Sequence, residues 1–272
     1  MSRIAAATGF SLQRVAALCL RYWYLLRSSW PRLLELVYWP AVQMITWGFL
    51  QLYVAETSNV LALGVGTFIG AVLLWDILFR GQLGFSISFL EEMWSRNLGN
   101  LFMSPLTPAE FVVALMAMSI VRLAIGVVPV TLLAIAFFGF NLWGLGAALA
   151  AFFANLILTS WSVGLIVSGL ILRHGMGAEG LAWTIMFLML PLTCVYYPVA
   201  TLPGWLQAVA WALPPTYVFE GMRDLLIRNL FRADLMLASL TINVALLAAA
   251  VAIFLFLVHR AREAGSLLQT GE

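Results

Sequence analysis

The chain has 272 residues, 63% hydrophobic and only 10% charged, with a net charge of +2 and a mean hydropathy of +1.00. No soluble core absorbs that much apolar surface, so the composition defines a polytopic membrane protein. The 14 basic residues are all arginine and sit mostly at the ends of apolar runs, which excludes a nucleic-acid surface, reads as topology signalling, and suits a GC-rich genome and a bacterial inner membrane.

Arginines at 3, 14, 21, 27 and 32 precede the first long apolar run, a pattern unlike a cleavable signal peptide, so the N-terminus is expected to be retained and cytoplasmic. Residues 10–30 are too polar to cross a bilayer. Arg14, Arg21 and Ser28 recur at a spacing that keeps them within about 40° on a helix, and Tyr22, Trp23, Tyr24 and Trp30 lie nearby. This predicts an amphipathic helix in the cytoplasmic interface, serving either as an anchor or as a mobile gating element.

A spanning helix needs about 20 mostly apolar residues. Six windows qualify: Leu33–Val54, Val60–Phe79, Phe111–Phe138, Leu142–Leu172, Leu181–Ala200 and Leu235–Val258. The fold class expected is therefore an all-α, six-span membrane protein forming a single domain over 1–272, with an interfacial segment (1–32), a bundle (33–258) and a cytoplasmic tail (259–272). With both ends in the cytoplasm, ten arginines fall inside, three outside, and one, Arg122, within a span, which obeys the positive-inside tendency.

In the second window Gly66 and Gly70 form a GxxxG pair, a weak signal for close helix contact. Asp76 and Arg80 stand one turn apart at its expected inner end, where mutual pairing suits them. The polar run EEMWSRNLGNLFMSPLTPAEF follows. Leu90, Trp94, Leu98 and Leu101 make one apolar stripe opposite Glu91, Glu92, Ser95 and Arg96, with Glu92 and Arg96 at pairing distance, so a short amphipathic cytoplasmic helix is expected. Thr107, Pro108 and Glu110 then supply the N-cap, N1 proline and N3 acid of a capping box that starts the third span. Arg122 has two readings, snorkelling or structural pairing on one side and lining a path for an anionic substrate on the other.

Residues 198–232 are half apolar and broken at Pro203, Gly204, Pro214 and Pro215. Their apolar pieces are too short to cross, which predicts two short helices dipping into the outer leaflet as a hairpin, with freed backbone groups that need partners.

A Walker A site requires a lysine, and the chain has none, so ATP hydrolysis by the usual P-loop belongs elsewhere. His174 and His259 stand alone at span ends with no ligand-spaced neighbours, and Cys19 and Cys194 are expected toward opposite membrane faces, so neither a metal site nor a disulfide is expected. The aromatics from Tyr22 to Trp47 suit an interfacial belt better than a route for sugars or amphiphiles.

Taken together, the six spans, the interfacial helix, EEMWSRNLGNLFMSPLTPAEF and YYPVATLPGWLQAVAWALPPTYVFEGMR resemble the ABC-2 type permease family, the membrane subunits of ATP-binding-cassette exporters. The resemblance covers nearly the whole length. It implies a coupling helix after span two that docks on a separate ATPase, carried by Glu91, Glu92, Trp94, Arg96 and Leu98, and an outer gate at Trp205, Pro214, Tyr217, Glu220 and Arg223. It implies a second permease copy, two ATPase subunits that use ATP and Mg, and no cofactor on this chain. A partnerless solvated helix is the competing reading of the first group, and a surface pair the competing reading of Glu220 and Arg223.

The near absence of charge in the spans favours an amphiphilic, lipid-linked or hydrophobic cargo. An ion-coupled secondary transporter would carry intramembrane carboxylates or histidines, and a membrane-embedded enzyme would need convergent acid, base or nucleophile groups. The sequence displays neither pattern.

Overall fold

The structure, a computed structural model, describes residues 9–57 and 66–263. The first eight residues, the opening of the second expected span (60–65) and the end of the expected tail (264–272) lie outside the described residues. Ten α-helices follow in order: α1 (Leu12–Arg27), α2 (Trp30–Thr57), α3 (Thr67–Trp94), α4 (Leu98–Met103), α5 (Pro108–Phe138), α6 (Ala147–His174), α7 (Leu181–Leu192), α8 (Gly204–Trp211), α9 (Pro214–Arg228) and α10 (Ala233–Glu263). The described residues contain no strand.

Five helices, α2, α3, α5, α6 and α10, are long and apolar enough to cross a membrane. At 1.5 Å per residue the 28-residue α3 is about 42 Å long, ample for a hydrocarbon core of about 30 Å. The fifth expected window takes another form. Its helix α7 has 12 residues, about 18 Å. Pro191 in the last turn cannot donate to the carbonyl one turn back, and Cys194 then turns the chain in the left-handed region at φ 54°.

Packing makes α3 the centre. Its apolar window is 89% buried, against 17% for α2 and 22% for α10, so the latter two form the rim. α3 lies against α2, α5, α6, α7 and α9, and α10 covers α6. Two features of the α2–α5 contact explain one another. Pro40 inside α2 leaves the Leu36 carbonyl without its helical donor, and α5 approaches that oxygen at Gly126, where any Cβ would sit 2.8 Å away. A larger residue at 126 would force the helices apart.

The GxxxG glycines divide their roles. Gly66 is the left-handed cap before α3 at φ 97°, and Gly70 faces Leu226 and Met222 of α9. A buried polar ladder ties α6 to α10: Thr159 donates to Asn243 Oδ1 at 2.6 Å and Asn243 to the Asn155 carbonyl at 3.0 Å. Residues 259–263 of the expected tail continue α10 as helix.

Candidate functional site

The molecule has two polar ends. At the first, the apolar stripe of α1, Val15, Leu18, Tyr22 and Leu26, is buried in the core, and α1 packs along α5. The α1 arginines meet acids from other helices. Arg14 Nε donates to Glu110 Oε2 at 2.9 Å, and Glu110 Oε1 also accepts from the Ser11 backbone N–H at 2.6 Å. Glu110 at the same time closes the expected capping box, accepting from Thr107 N at 2.8 Å while Thr107 Oγ1 accepts from Glu110 N. One acid thus fixes both the start of α5 and the seat of α1.

Arg21 pairs with Glu92, whose other oxygen accepts from Asn97 Nδ2 at 2.8 Å. Arg122 Nη2 donates to both oxygens of Glu91 at 2.9 Å, and Arg32 of α2 joins the same carboxylate at 3.1 Å. Arg122 begins level with Gly84, whose added Cβ would be 3.4 Å from its own. Glu91 is seven residues further along α3, about 10 Å, so the arginine stretches toward the helix end and finds a carboxylate there. Hydrogen bonding to Glu110 raises the Arg14 pKa, and burial, followed by the Glu92 charge, pushes the Tyr22 phenol well above its usual value.

This arrangement corrects the reading of 91–101 as one cytoplasmic amphipathic helix. No breaker separates Phe79 from Trp94, so α3 runs on through Glu91 and Glu92, and arginines of the same chain neutralise both acids inside the bundle. Arg96 adopts φ 51° in the turn after α3, and Glu92 pairs with Arg21 rather than Arg96. Of the five residues expected to couple, Glu91, Glu92 and Leu98 are buried, whereas Trp94 and Arg96 are exposed. The exposed tip comprises Trp94, Ser95, Arg96, Asn100, Met103, Ser104 and Pro105. Trp94 Nε1 donates to Glu179 Oε2 at 3.0 Å, which ties the tip to the turn before α7.

At the other end, α8 and α9 form the expected pair of short helices. The freed carbonyls after α7 find a partner in Arg223, whose Nη1 donates to Cys194 O at 2.8 Å and to Val195 O at 3.3 Å. Arg223 Nη2 donates to Glu220 Oε1 at 2.9 Å, and that same oxygen accepts from Val199 N at 2.7 Å. The two residues therefore form a strap that holds segment 194–199 to α9. Tyr217 donates to Trp211 O at 2.8 Å and packs edge-on to its ring, Pro214 is buried at the start of α9, and Trp205 is exposed.

Asp76 and Arg80 pair as expected, at 3.7 Å, but as the tenth and fourteenth residues of a 28-residue helix they lie near its middle rather than at its end. The depth was missed because α3 was expected to stop at Phe79. Among the described residues no three His, Cys, Asp or Glu side chains gather as metal ligands, and both cysteines are unpaired. An apolar cavity of 460 Å³ opens between α3, α5 and α6 beside Trp143 and Phe153.

Sequence reasoning missed Arg14, Arg21 and Arg32 as partners of the buried acids. The sevenfold spacing of Arg14 and Arg21 was a signal that both faced one surface, but nothing local named Glu110 and Glu92 as what they face.

Five helices long and apolar enough to cross a membrane, with a turn exposed at one end and the short helices α8 and α9 at the other, fit a multi-pass α-helical membrane protein. The model of the ABC-2 type transporter family matches residues 22–227, and the chain belongs to that family. It is the membrane permease component of an ATP-binding-cassette transporter. No curated protein matches the sequence.

Proposed function

We propose that the chain is the permease half of an exporter, working as a homodimer on two separate ATPase subunits that bind ATP and Mg, in a bacterial inner membrane with both termini cytoplasmic. The observation that carries this reading is the tip between α3 and α5. It exposes Trp94, Arg96 and Met103 on a turn braced by three buried acids and four arginines. Tryptophan and arginine are the residue types enriched at protein interfaces, and here both are exposed on one turn.

In this reading α7, with residues 193–200, makes the sixth crossing. Trp94 and Arg96 dock in the ATPase, and Glu91, Glu92 and Leu98 act behind them, passing displacement of the tip into α1, α2 and α5 through the ion pairs. The α8–α9 hairpin, strapped by Glu220 and Arg223 and built on Pro214 and Tyr217 with Trp205 at its rim, closes the outer side. Arg122 is a strut to Glu91 rather than a path residue. The cargo is an amphiphile. Trp94→Ala with Arg96→Glu should reduce co-purification of the ATPase by about tenfold or more without changing the yield of folded permease. Undiminished co-purification would remove the tip from the docking surface.

A further inference from the structure

α5 and α6 follow one another in the chain and both lie on α3, yet they scarcely touch each other. The space between them is closed at two ends. Toward the α3–α5 tip, Trp161 Nε1 of α6 donates to Ser119 Oγ of α5 at 2.9 Å, one turn below Leu123. The other closure lies toward α9, since Phe140 and Leu226 both flank Gly70. There Gly139 ends α5 at φ 65°, and Asn141 Oδ1 accepts from Trp143 N at 3.0 Å in a turn that buries Leu142 and leaves the Trp143 ring exposed. Between the closures lies the 460 Å³ cavity, floored by the buried Ile77 of α3, with the small residues Ala124, Gly146 and Ala150 leaving the room.

The lining decides what fills this space. It carries no charged side chain and, apart from the Trp143 indole, no polar one. Water needs about two to four polar partners and finds none here, while an empty void forfeits dispersion contacts along its whole wall. The volume falls within the roughly 300–1,000 Å³ of small-molecule sites. Ile120, Ala124 and Val128 are exposed along the middle of a span, so the cavity opens sideways into the hydrocarbon. From Ile120 to Val128 it runs about 12 Å along α5. A helix of a second copy, about 10–12 Å across, would need roughly twice the available volume over that length. An extended hydrocarbon chain suits the shape and the chemistry. At the α9 end, the exposed Trp143 and Asn141 offer an indole N–H and a carboxamide to ester oxygens, and tryptophan is enriched at head-group level.

We propose that the slot between α5 and α6 binds one acyl chain of a membrane glycerophospholipid, laid over Ile77 between the Trp161–Ser119 bridge and Trp143, as a resident lipid of the permease and not its cargo. The site rests on the membrane-spanning fold and is independent of the exporter reading. The chain completes the packing that α5 and α6 do not give each other.

The test uses the full chain in maltoside micelles doped with a rising fraction of phosphatidylcholine that carries a photoreactive diazirine midway along one acyl chain. Labelling of residues 120–128 and 146–153 should stand several-fold above that of the exposed apolar face of α10, from Leu237 to Phe256. It should also reach a plateau while the α10 signal rises in proportion to the probe. Ala124→Leu with Ala150→Leu fills the slot with side chains and should remove the plateau, and added phosphatidylcholine should then no longer raise the unfolding temperature as it does for the unaltered chain. If that variant fails to fold, the plateau in the unaltered chain decides alone. Labelling proportional to the probe in both places is ordinary lipid contact and would overturn the site, as would a plateau that survives in the folded variant or cross-links from residues 120–128 to a second copy in place of lipid. With the ATPase co-purified, labelling that vanishes during ATP turnover would make the lipid a passing cargo and overturn its residence.

Discussion

The two ends of the bundle solve the same problem differently. At the α3–α5 tip, buried acids are neutralised by arginines from other elements: Glu110 and Glu92 by Arg14 and Arg21 of α1, Glu91 by Arg32 of α2 and Arg122 of α5. At the hairpin, one arginine, Arg223, satisfies backbone carbonyls left open where α7 ends, and Glu220 catches a backbone N–H five residues further on. The first is a lattice of side-chain pairs that joins α1, α2, α3 and α5. The second is a local staple that finishes a turn. A lattice that joins several helices fits the docking role proposed for this end, and a local staple fits the closing role proposed for the other.

The comparison breaks most sharply at Glu91. Replacing it with leucine leaves Arg122 buried without its counter-charge, and loss of one partner of a buried pair costs about 3–5 kcal/mol. Thermal unfolding in nanodiscs should drop steeply, and the double change Glu91→Leu with Arg122→Leu should recover much of the loss. If the single change were neutral, the lattice would not carry stability.

Next comes the staple. Arg223→Leu removes hydrogen bonds from a charged donor, each worth about 1.5–3 kcal/mol, and should loosen segment 194–199 alone. Faster hydrogen exchange confined to residues 193–200 and the start of α9 is the expected outcome, and exchange spread across α1 and α5 would contradict the division between the ends. A smaller effect belongs to Thr107→Ala, which costs about 1 kcal/mol as an N-cap and should lower the unfolding temperature slightly while Glu110 still holds Arg14. The smallest concerns placement: Trp205→Cys should react with an impermeant thiol reagent from outside and Ser95→Cys from inside, with no loss of stability at these exposed positions. The reverse pattern would invert the assignment of the ends.

Much of this was legible in the sequence, and what was legible was local. The Thr107, Pro108 and Glu110 capping signal lies within four residues, and the prolines that break 198–232 act on their own backbone. The stretch of hydrophobicity that marks a span is likewise a property of one segment. The partners were not legible. Arg21 meets Glu92 across 71 positions and Arg14 meets Glu110 across 96, and no spacing rule reaches that far. Hence Glu91 and Glu92 read as the polar face of a cytoplasmic docking helix, since an acid looks free until its counter-ion is located. The same gap shortened α3 and moved Asp76 and Arg80 from its middle to its end. In the fifth window the apolar composition continues past the Pro191 turn, where the helix does not.

The proposed assembly pairs two copies of this permease with two ATPase subunits. The most direct measurement is the native mass of the tagged chain, gently solubilised from its own host, with nucleotide hydrolysis read on the same particle. The expected particle holds two copies of the 30.0 kDa chain and two co-purifying soluble subunits that hydrolyse ATP. A lone monomer or dimer without partner or hydrolysis, reproduced across several mild detergents, would contradict it.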